Sequence, residues 1–189
     1  MKPAVNAVIL AGGLSRRMGT DKAGMLHPVS GKPLLSHQLA HIADLPLNGV
    51  FVSAREEQEL PAFSTNIMRI NDTGEHGPLG GIAAALHHAP SHHLLVIPVD
   101  LPLLTADVLF RMIACIPSLD CGIVAKSPQS LEPLVAIFPP QALPAMATAI
   151  QLRNLSVKAL IQGPLQAMME SVEFADPTPF RNWNSPADI

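Results

Sequence analysis

The chain has 189 residues, of which 48% are hydrophobic and 14% are charged, and its formal net charge is −3. This balance excludes a disordered chain, and it gives no global basic field for duplex nucleic acid. No apolar run approaches the roughly 20 residues of a membrane span, and the first apolar stretch, which stops at Ala11, is too short for a signal peptide. We therefore expect a cytoplasmic protein that forms one domain over residues 1–189, with neither nucleic acid nor membrane as a partner.

The first predicted strand, Ala7–Leu10, leads into a glycine-rich, cationic loop that continues to Lys22. Gly12 and Gly13 allow the backbone to approach a ligand closely, so that their amides can converge on phosphate oxygens. Lys22 and two arginines of the loop add positive charge. The spacing fits neither the P-loop pattern nor the dinucleotide fingerprint. The sequence therefore predicts a phosphate-binding loop of another kind.

Further apolar runs and helical periodicities follow along the chain. The predicted strands are Ala7–Leu10, Val50–Ser53, Ile67–Ile70, Leu94–Val99, Gly122–Ala125 and Leu134–Phe138. The predicted helices are Leu34–Ile42, Leu79–His88 and Ala106–Ile116, the last of them with Thr105 as its N-cap. Continuous apolar strands that alternate with helices are typical of a parallel sheet covered on both faces, which predicts a three-layer α/β domain. The proline-rich second half indicates a less regular region with an antiparallel element and exposed loops.

Three polar residues close predicted strands: Ser53, Asp72 and Asp100. Ligands of such sheets bind at the carboxyl ends of the strands, which favours one shared site. Asp100, followed by Pro102, has the position of a carboxylate that holds a divalent metal. The alternatives are local: a turn aspartate at 100, an ordinary strand-to-helix turn at Asp72 and a cap at Ser53.

The histidines and cysteines give weaker signals. His37 and His41 lie four residues apart on the first predicted helix, but two ligands without a third make a poor metal site, so we expect no metal there. The paired histidines at 87–88 and 92–93 are interpreted as surface loop residues. Cys115 and Cys121 are expected to be buried, unbridged thiols.

Near the carboxyl end, Asn182 and Asn184 flank Trp183, the only tryptophan of the chain. In an extended segment the two amides point the same way, and the indole points oppositely into a core. This arrangement suits hydrogen bonding to a heterocyclic or phosphate ligand. A tail fixed by Trp183 would explain the pattern nearly as well.

Together these segments resemble the molybdenum cofactor guanylyltransferases, the MobA-like branch of the nucleotidyltransferases. The resemblance spans nearly the whole chain, in family order. Its motifs are L-A-G-G-x-S-x-R-M-G-x-D-K at Leu10 to Lys22, G-K-P-L at Gly31 to Leu34, the Asp72 segment with Gly77-Pro78-Leu79, V-D-x-P at Val99 to Pro102, E-P-L at Glu132 to Leu134 and N-x-N-[ST]-P at Asn182 to Pro186.

The resemblance implies a three-layer α/β/α Rossmann-like nucleotidyltransferase fold that transfers GMP from GTP to the terminal phosphate of molybdenum-molybdopterin. It places Lys22 at the phosphates, as a catalytic residue, and Asp100 at the nucleotide and at Mg²⁺, also as a catalytic residue. Asn182 and Asn184 would lie on the pterin side. The residues implied in GTP binding are Leu10, Ala11, Gly12, Gly13, Lys22, Ser53, Asp72 and Asp100.

Several alternatives stay open at this point. Relatives that transfer CMP tend to carry T-A-A-G where this chain has Leu10-Ala11-Gly12-Gly13, which favours guanine over cytosine. A further nucleotidyltransferase of the same fold and a non-catalytic pterin carrier are the other candidates. The resemblance also leaves open whether upstream cofactor-loading proteins and downstream molybdoenzymes bind the chain.

Overall fold

The computed structural model describes residues 3–12 and 22–183, and these residues form one seven-stranded sheet with helices on both of its faces. The strands are β1 (Val5–Leu10), β2 (Gly49–Ala54), β3 (Ile67–Asn71), β4 (His93–Pro98), β5 (Gly122–Lys126), β6 (Leu131–Phe138) and β7 (Met169–Glu173). The helices are α1 (Leu34–Ile42), α2 (Gly77–His88), α3 (Ala106–Ala114), α4 (Leu143–Gln151) and α5 (Val157–Gln162).

The sheet has the strand order β3-β2-β1-β4-β6-β5-β7 and is mostly parallel. Strand β6 is the exception, because it runs antiparallel to both of its neighbours, β4 and β5. The first four strands are parallel and adjacent, so the segments that follow them emerge at one edge of the sheet. The predicted mostly parallel sheet with an antiparallel element in the second half is confirmed.

Alternation along β1 shows how the sheet divides the core into two layers. Val5, Ala7 and Ile9 pack with buried residues of α1 and α3, whereas Val8 packs on the opposite face with α2, α4 and α5. Successive side chains of a strand point to opposite faces, and both faces of this strand are apolar because both are covered by helices. The three-layer architecture therefore follows from the continuous apolar strands.

The second half of the chain is more regular than its proline content suggests. It contains α4, α5 and β7, none of which the sequence predicted. Pro144 lies in the first turn of α4, where a helix needs no backbone N–H donor, so it helps to begin a helix rather than to break one. The expectation of a less regular second half therefore overlooked two helices and a strand, whereas its antiparallel element is present as β6.

Other local expectations have mixed outcomes. Thr105 caps α3, since its hydroxyl accepts a hydrogen bond from the Val108 amide at 3.4 Å. Both cysteines are free thiols as expected, but Cys115 is exposed and Cys121 only half-buried, so their predicted burial is wrong. None of the described helices is long and apolar enough to cross a membrane.

Candidate functional site

The candidate site lies where β1, β2, β3 and β4 end. In the parallel register, Leu10 of β1 is the partner of Ser53 in β2 and of Pro98 in β4. These three strands therefore end close together. Beyond them, the Asp72 amide donates to the carbonyl of Ala54 at 2.8 Å, and the Val99 amide donates to that of Leu10 at 3.1 Å. The topology thus brings the polar residues that follow four strands to one edge, as the sequence predicted.

Ala11 and Gly12 begin the glycine-rich loop at this edge, and both are buried. The Ala11 amide donates to the Ser53 carbonyl at 2.8 Å, which continues the pairing of β1 with β2 by one residue. Within the described part of the chain the Gly12 amide forms no hydrogen bond, so Gly12 is the first position of the loop with a donor to offer a ligand. Gly13, also predicted to bind nucleotide, lies outside the described residues, as do Arg16 and Arg17.

Asp72 stands beside this loop. A Cβ atom added to Gly12 would lie 3.2 Å from Asp72 Oδ2, so a side chain there would press on the carboxylate. The other oxygen, Oδ1, accepts a hydrogen bond from the Gly74 amide at 2.8 Å in an Asx turn. The half-buried carboxylate is therefore fixed at Oδ1 and turned toward Gly12 at Oδ2, next to the amino end of α2.

Ser53 is fully buried and lies under α2. A Cβ atom added to Gly81 would be 2.3 Å from Ser53 Oγ, so only glycine lets the helix come this close to β2. Ser53 Oγ has no hydrogen-bond partner among the described residues. The predicted contact between Ser53 and the nucleotide stays a prediction. In this structure α2 covers the Ser53 hydroxyl.

Lys22 and Asp100 meet beyond the end of β4. Lys22 Nζ lies 2.8 Å from Asp100 Oδ2, and each side chain retains about a fifth of its surface, with 18% and 25% exposed. Asp100 lies two residues beyond β4, which ends at Pro98 instead of the predicted Val99. No group of three or more His, Cys, Asp or Glu side chains in the described ranges could hold a metal by itself.

The segment after Asp100 is held by hydrogen bonds from α1. Gln38 Nε2 donates to the Leu101 carbonyl at 2.6 Å, His37 Nε2 to that of Pro102 at 3.0 Å, and His41 Nδ1 to that of Leu104 at 2.7 Å. A carbonyl can only accept, so the bonded nitrogen of each imidazole carries a proton, whereas the other nitrogen of a neutral ring keeps its lone pair. These bonds give His37 and His41 a structural role, and the expectation that they bind no metal stays a prediction.

The buried indole of Trp183 closes the same region. Its amide donates to the Asp100 carbonyl at 2.9 Å, and its ring stacks on that of His27 at 5.4 Å between centroids. The predicted inward orientation of Trp183 is confirmed, and Asn182 is exposed beside it. Asn184, the second predicted pterin ligand, lies outside the described residues.

Burial lowers the pKa of three histidines. For His27 and His37 desolvation is the main cause, and the nearby His41 imidazole acts in the same direction. His27 Nδ1 accepts hydrogen bonds from the amides of Val29 and Ser30, at 3.3 and 3.1 Å, which only a neutral ring can do. His93 is also desolvated, because it lies within β4 rather than on the predicted surface loop.

Gln58 is a buried residue of the site that the sequence did not single out. Its Nε2 donates to the Ala11 carbonyl at 2.9 Å. It lies in the run Glu56-Glu57-Gln58-Glu59, where charge suggests a solvated turn and periodicity gives no signal. A lone glutamine among glutamates is the only hint in the sequence.

Comparisons with known proteins agree with this architecture. The model of a family described as MobA-like NTP transferase domain matches residues 7–170. A relative from Shewanella sp. (strain MR-4), named Molybdenum cofactor guanylyltransferase, is 31% identical over 152 residues, which cover 80% of this chain and 77% of the relative. A relative of the same name from Shewanella halifaxensis is 32% identical over 147 residues, which cover 77% of this chain and 73% of the relative.

A solved structure with a similar fold is that of molybdopterin-guanine dinucleotide biosynthesis protein A from Archaeoglobus fulgidus. It superposes with a TM-score of 0.70 at 22% identity, over 97% of this chain and 94% of the other. At this identity the likeness shows the fold.

Proposed function

Because the chain belongs to the MobA-like NTP transferase family, we propose that it transfers GMP from GTP to the terminal phosphate of molybdenum-molybdopterin. In this reaction an acceptor phosphate oxygen forms a bond to the α-phosphorus of GTP. The bond from that phosphorus to the bridging oxygen breaks, and pyrophosphate leaves. The observation that carries the proposal is the Lys22–Asp100 pair, which joins a cation and a carboxylate at the edge of the sheet beside the glycine-rich loop.

We assign the guanine nucleotide to the segments that follow β1, β2 and β3. Leu10, Ala11 and Gly12, continued by Gly13, would line it by close backbone approach, and Asp72 would contact it from the side facing Gly12. The Asp72 carboxylate keeps Oδ2 available as a hydrogen-bond acceptor, which suits the N–H groups of guanine or the hydroxyls of ribose. The Ser53 hydroxyl lies beneath α2, so its proposed contact with the nucleotide would require a shift of that helix.

The phosphates would lie toward Lys22 and Asp100. Lys22 supplies a cation for phosphate oxygens, and Asp100 supplies a carboxylate of the kind that Mg²⁺ binds. Mg²⁺ commonly takes one or two carboxylates and completes its shell with substrate phosphates and water, so the absence of a three-residue cluster among the described residues is compatible with it. When bound, the ion would neutralise charge that develops on the phosphates. Lys22 and Asp100 would part from each other as each takes its ligand.

On the acceptor side we assign Asn182 and Asn184 to the pterin. The exposed Asn182 adjoins Trp183, whose amide holds the Asp100 carbonyl, so an acceptor at Asn182 would approach the phosphate end of the site. The proposal also includes a cytoplasmic location and one domain over residues 1–189. Upstream cofactor-loading proteins and downstream molybdoenzymes remain candidate partners.

A nucleotide panel tests the proposed function. The purified protein, with Mg²⁺ and molybdenum-molybdopterin, should release pyrophosphate from GTP and not from CTP, UTP or ATP, and omission of the pterin should abolish the release. Equal turnover of CTP would contradict the guanylyl assignment. Binding of the pterin without any nucleotide turnover would instead support the carrier alternative.

A further inference from the structure

We propose that Gln58 and Arg69 position the start of the glycine-rich loop at Ala11 and Gly12. Gln58 holds the Ala11 carbonyl, and Arg69 holds the turn that carries Gln58. We call these two side chains, together with the turn 55–58, the brace. The inference rests on the nucleotide-binding role proposed above for Leu10 to Gly12. It assigns a positioning role, because neither side chain is placed in contact with substrate.

The first part of the brace is a bridge made by the Gln58 side chain. Its Nε2 donates to the Ala11 carbonyl at 2.9 Å, and its Oε1 accepts from the Arg55 amide at 3.2 Å. The Ala11 amide already donates to Ser53, so both polar backbone groups of Ala11 are engaged. Ala11 therefore fixes the direction in which the chain enters Gly12, whose amide forms no hydrogen bond within the described part of the chain.

The second part is the Arg69 guanidinium, which reaches from β3 to the turn. Its Nη2 donates to the carbonyls of Arg55, Glu56 and Gln58, at 2.9 Å for Glu56 and 3.1 Å for Gln58. Arginine is always charged, and hydrogen bonds from a charged donor are stronger than those between neutral groups. Three carbonyls on one guanidinium hold the turn in a single shape. Arg69 lies in β3, where it is paired with Val52 of β2, so the turn is tied to the sheet.

A purely structural role makes a different prediction from a positioning role. If the brace only stabilised the fold, its removal would lower the free energy of unfolding and leave the folded variant with ordinary GTP affinity. If it positions the loop, the folded variant loses GTP affinity while its acceptor side is unaffected. The measurement must therefore be made on folded protein and must separate the two substrates.

The test compares brace variants with a matched glutamine elsewhere. Gln58→Leu removes both bonds of the amide, and Gln58→Glu keeps an acceptor for the Arg55 amide but loses the donor to Ala11. Gln141→Leu is the control, because Gln141 is exposed and its side-chain amide donates to Asp120, which is not part of the brace. Arg69→Met and Arg69→Lys ask whether the forked guanidinium, and not only its charge, is needed.

We expect both Gln58 variants to raise the Kd for GTP by about tenfold, the effect of one lost hydrogen bond, measured by calorimetry below the unfolding transition of each variant. The KM for GTP should rise with it, and the acceptor KM should stay within about twofold, the pattern of a lost nucleotide contact. Arg69→Met should weaken GTP binding, Arg69→Lys should restore part of it, and Gln141→Leu should leave it unchanged.

Wild-type GTP affinity in folded Gln58→Leu would overturn the proposal. If the wild-type protein prefers another nucleoside triphosphate, the proposed guanylyl function fails, and the same variants measured with that nucleotide still decide the role of the brace. If the wild-type protein binds no nucleoside triphosphate, both proposals are overturned.

Discussion

Lys22 and Asp100 form an ion pair with 2.8 Å between Nζ and Oδ2, although they are 78 positions apart in the sequence. Lys22 lies at the far end of the glycine-rich loop, and Asp100 lies beyond the end of β4. Their contact therefore links the loop to the neighbouring strand across the candidate site. Partly exposed pairs of this kind contribute little to stability, about 0–1 kcal/mol, so the fold depends little on this contact.

Asp100→Asn should abolish nucleotidyl transfer while leaving the fold intact. We expect turnover to fall by at least about a hundredfold, because the amide removes the negative charge proposed to hold the metal. Pyrophosphate release measures the loss, and the thermal unfolding midpoint checks the fold. Asp44→Asn is the control and should be fully active, because Asp44 is an exposed aspartate two residues beyond α1. Near-normal turnover of Asp100→Asn would remove this residue from the metal site.

Ser53→Ala should leave the protein without nucleotide at least as stable as the wild type. The hydroxyl is fully buried and has no partner among the described residues, and a buried, unpaired polar group costs about 1–3 kcal/mol. We expect denaturant unfolding to show no loss of stability. Thermal shift by GTP then decides the proposed nucleotide contact: a smaller shift than in the wild type supports it, and an equal shift rules it out.

Stability should fall as the pH is lowered below about 6.5, because the pKa values of His27, His37 and His93 are lowered from 6.5 in the folded protein. Above 6.5 these rings are neutral in both states and contribute nothing. Below it the unfolded chain takes up protons that the folded protein does not, so the free energy of unfolding declines until each folded-state pKa is passed. The slope is at most about 1.4 kcal/mol per pH unit for each histidine.

Denaturant unfolding at pH 7.5 and 5.5, followed by the fluorescence of Trp183, measures this decline. His93→Gln should reduce the pH dependence, since its amide can still donate to the Cys121 carbonyl, which His93 Nε2 contacts at 3.0 Å, but does not titrate. His87→Gln, on the exposed end of α2, should leave it unchanged. Equal slopes in the wild type and in His93→Gln would show that His93 is not among the groups responsible.

Gly122→Ala should destabilise the protein by at least about 2 kcal/mol, toward the upper end of the cost of overpacking. A Cβ atom at this position would lie 2.4 Å from the Ile137 carbonyl oxygen and 2.6 Å from Met169 Sδ, where β5 is enclosed by β6 and β7. Backbone cannot move aside as a flexible side chain can. Gly24→Ala is the matched control, because nothing lies within 4 Å of its added Cβ, and its unfolding midpoint should be close to that of the wild type.

The parallel half of the sheet was predictable because β1, β2 and β4 are largely buried apolar runs. The edge strand β3 is mostly exposed and carries Arg69, and it was found from its apolar residues Ile67, Met68 and Ile70. Helix α1 was predicted with its observed bounds, since Leu34, Leu35 and Ile42 place a clear apolar stripe on one side. α4 was missed because Pro144, in its first turn, suggests a break instead of a helix start. α5 was missed because its six residues are too few to show a helical period. β7 was missed because only Val172 of its five residues is buried, which leaves no alternation to detect.

The site was predictable in outline for a different reason. Residues at the ends of parallel strands must converge, so Gly12, Asp72 and Asp100 could be placed together from their positions alone. Gln58 could not, because its bond to Ala11 joins residues 47 positions apart through a turn that has no periodic signal. His93 was misplaced because two histidine pairs around Pro90 resemble a loop, whereas the second pair already enters β4.

The hydrogen bond from the Trp183 amide to the Asp100 carbonyl bears on the order in which the molecule is completed during synthesis. The last strand of the described sheet ends at Glu173, ten residues before that tryptophan. A ribosome that has released the chain only as far as β7 has already made every strand of the sheet, yet the carbonyl of Asp100 still awaits its donor. The Asp100 carbonyl can therefore receive this hydrogen bond only after the residues of all seven described strands have been synthesised.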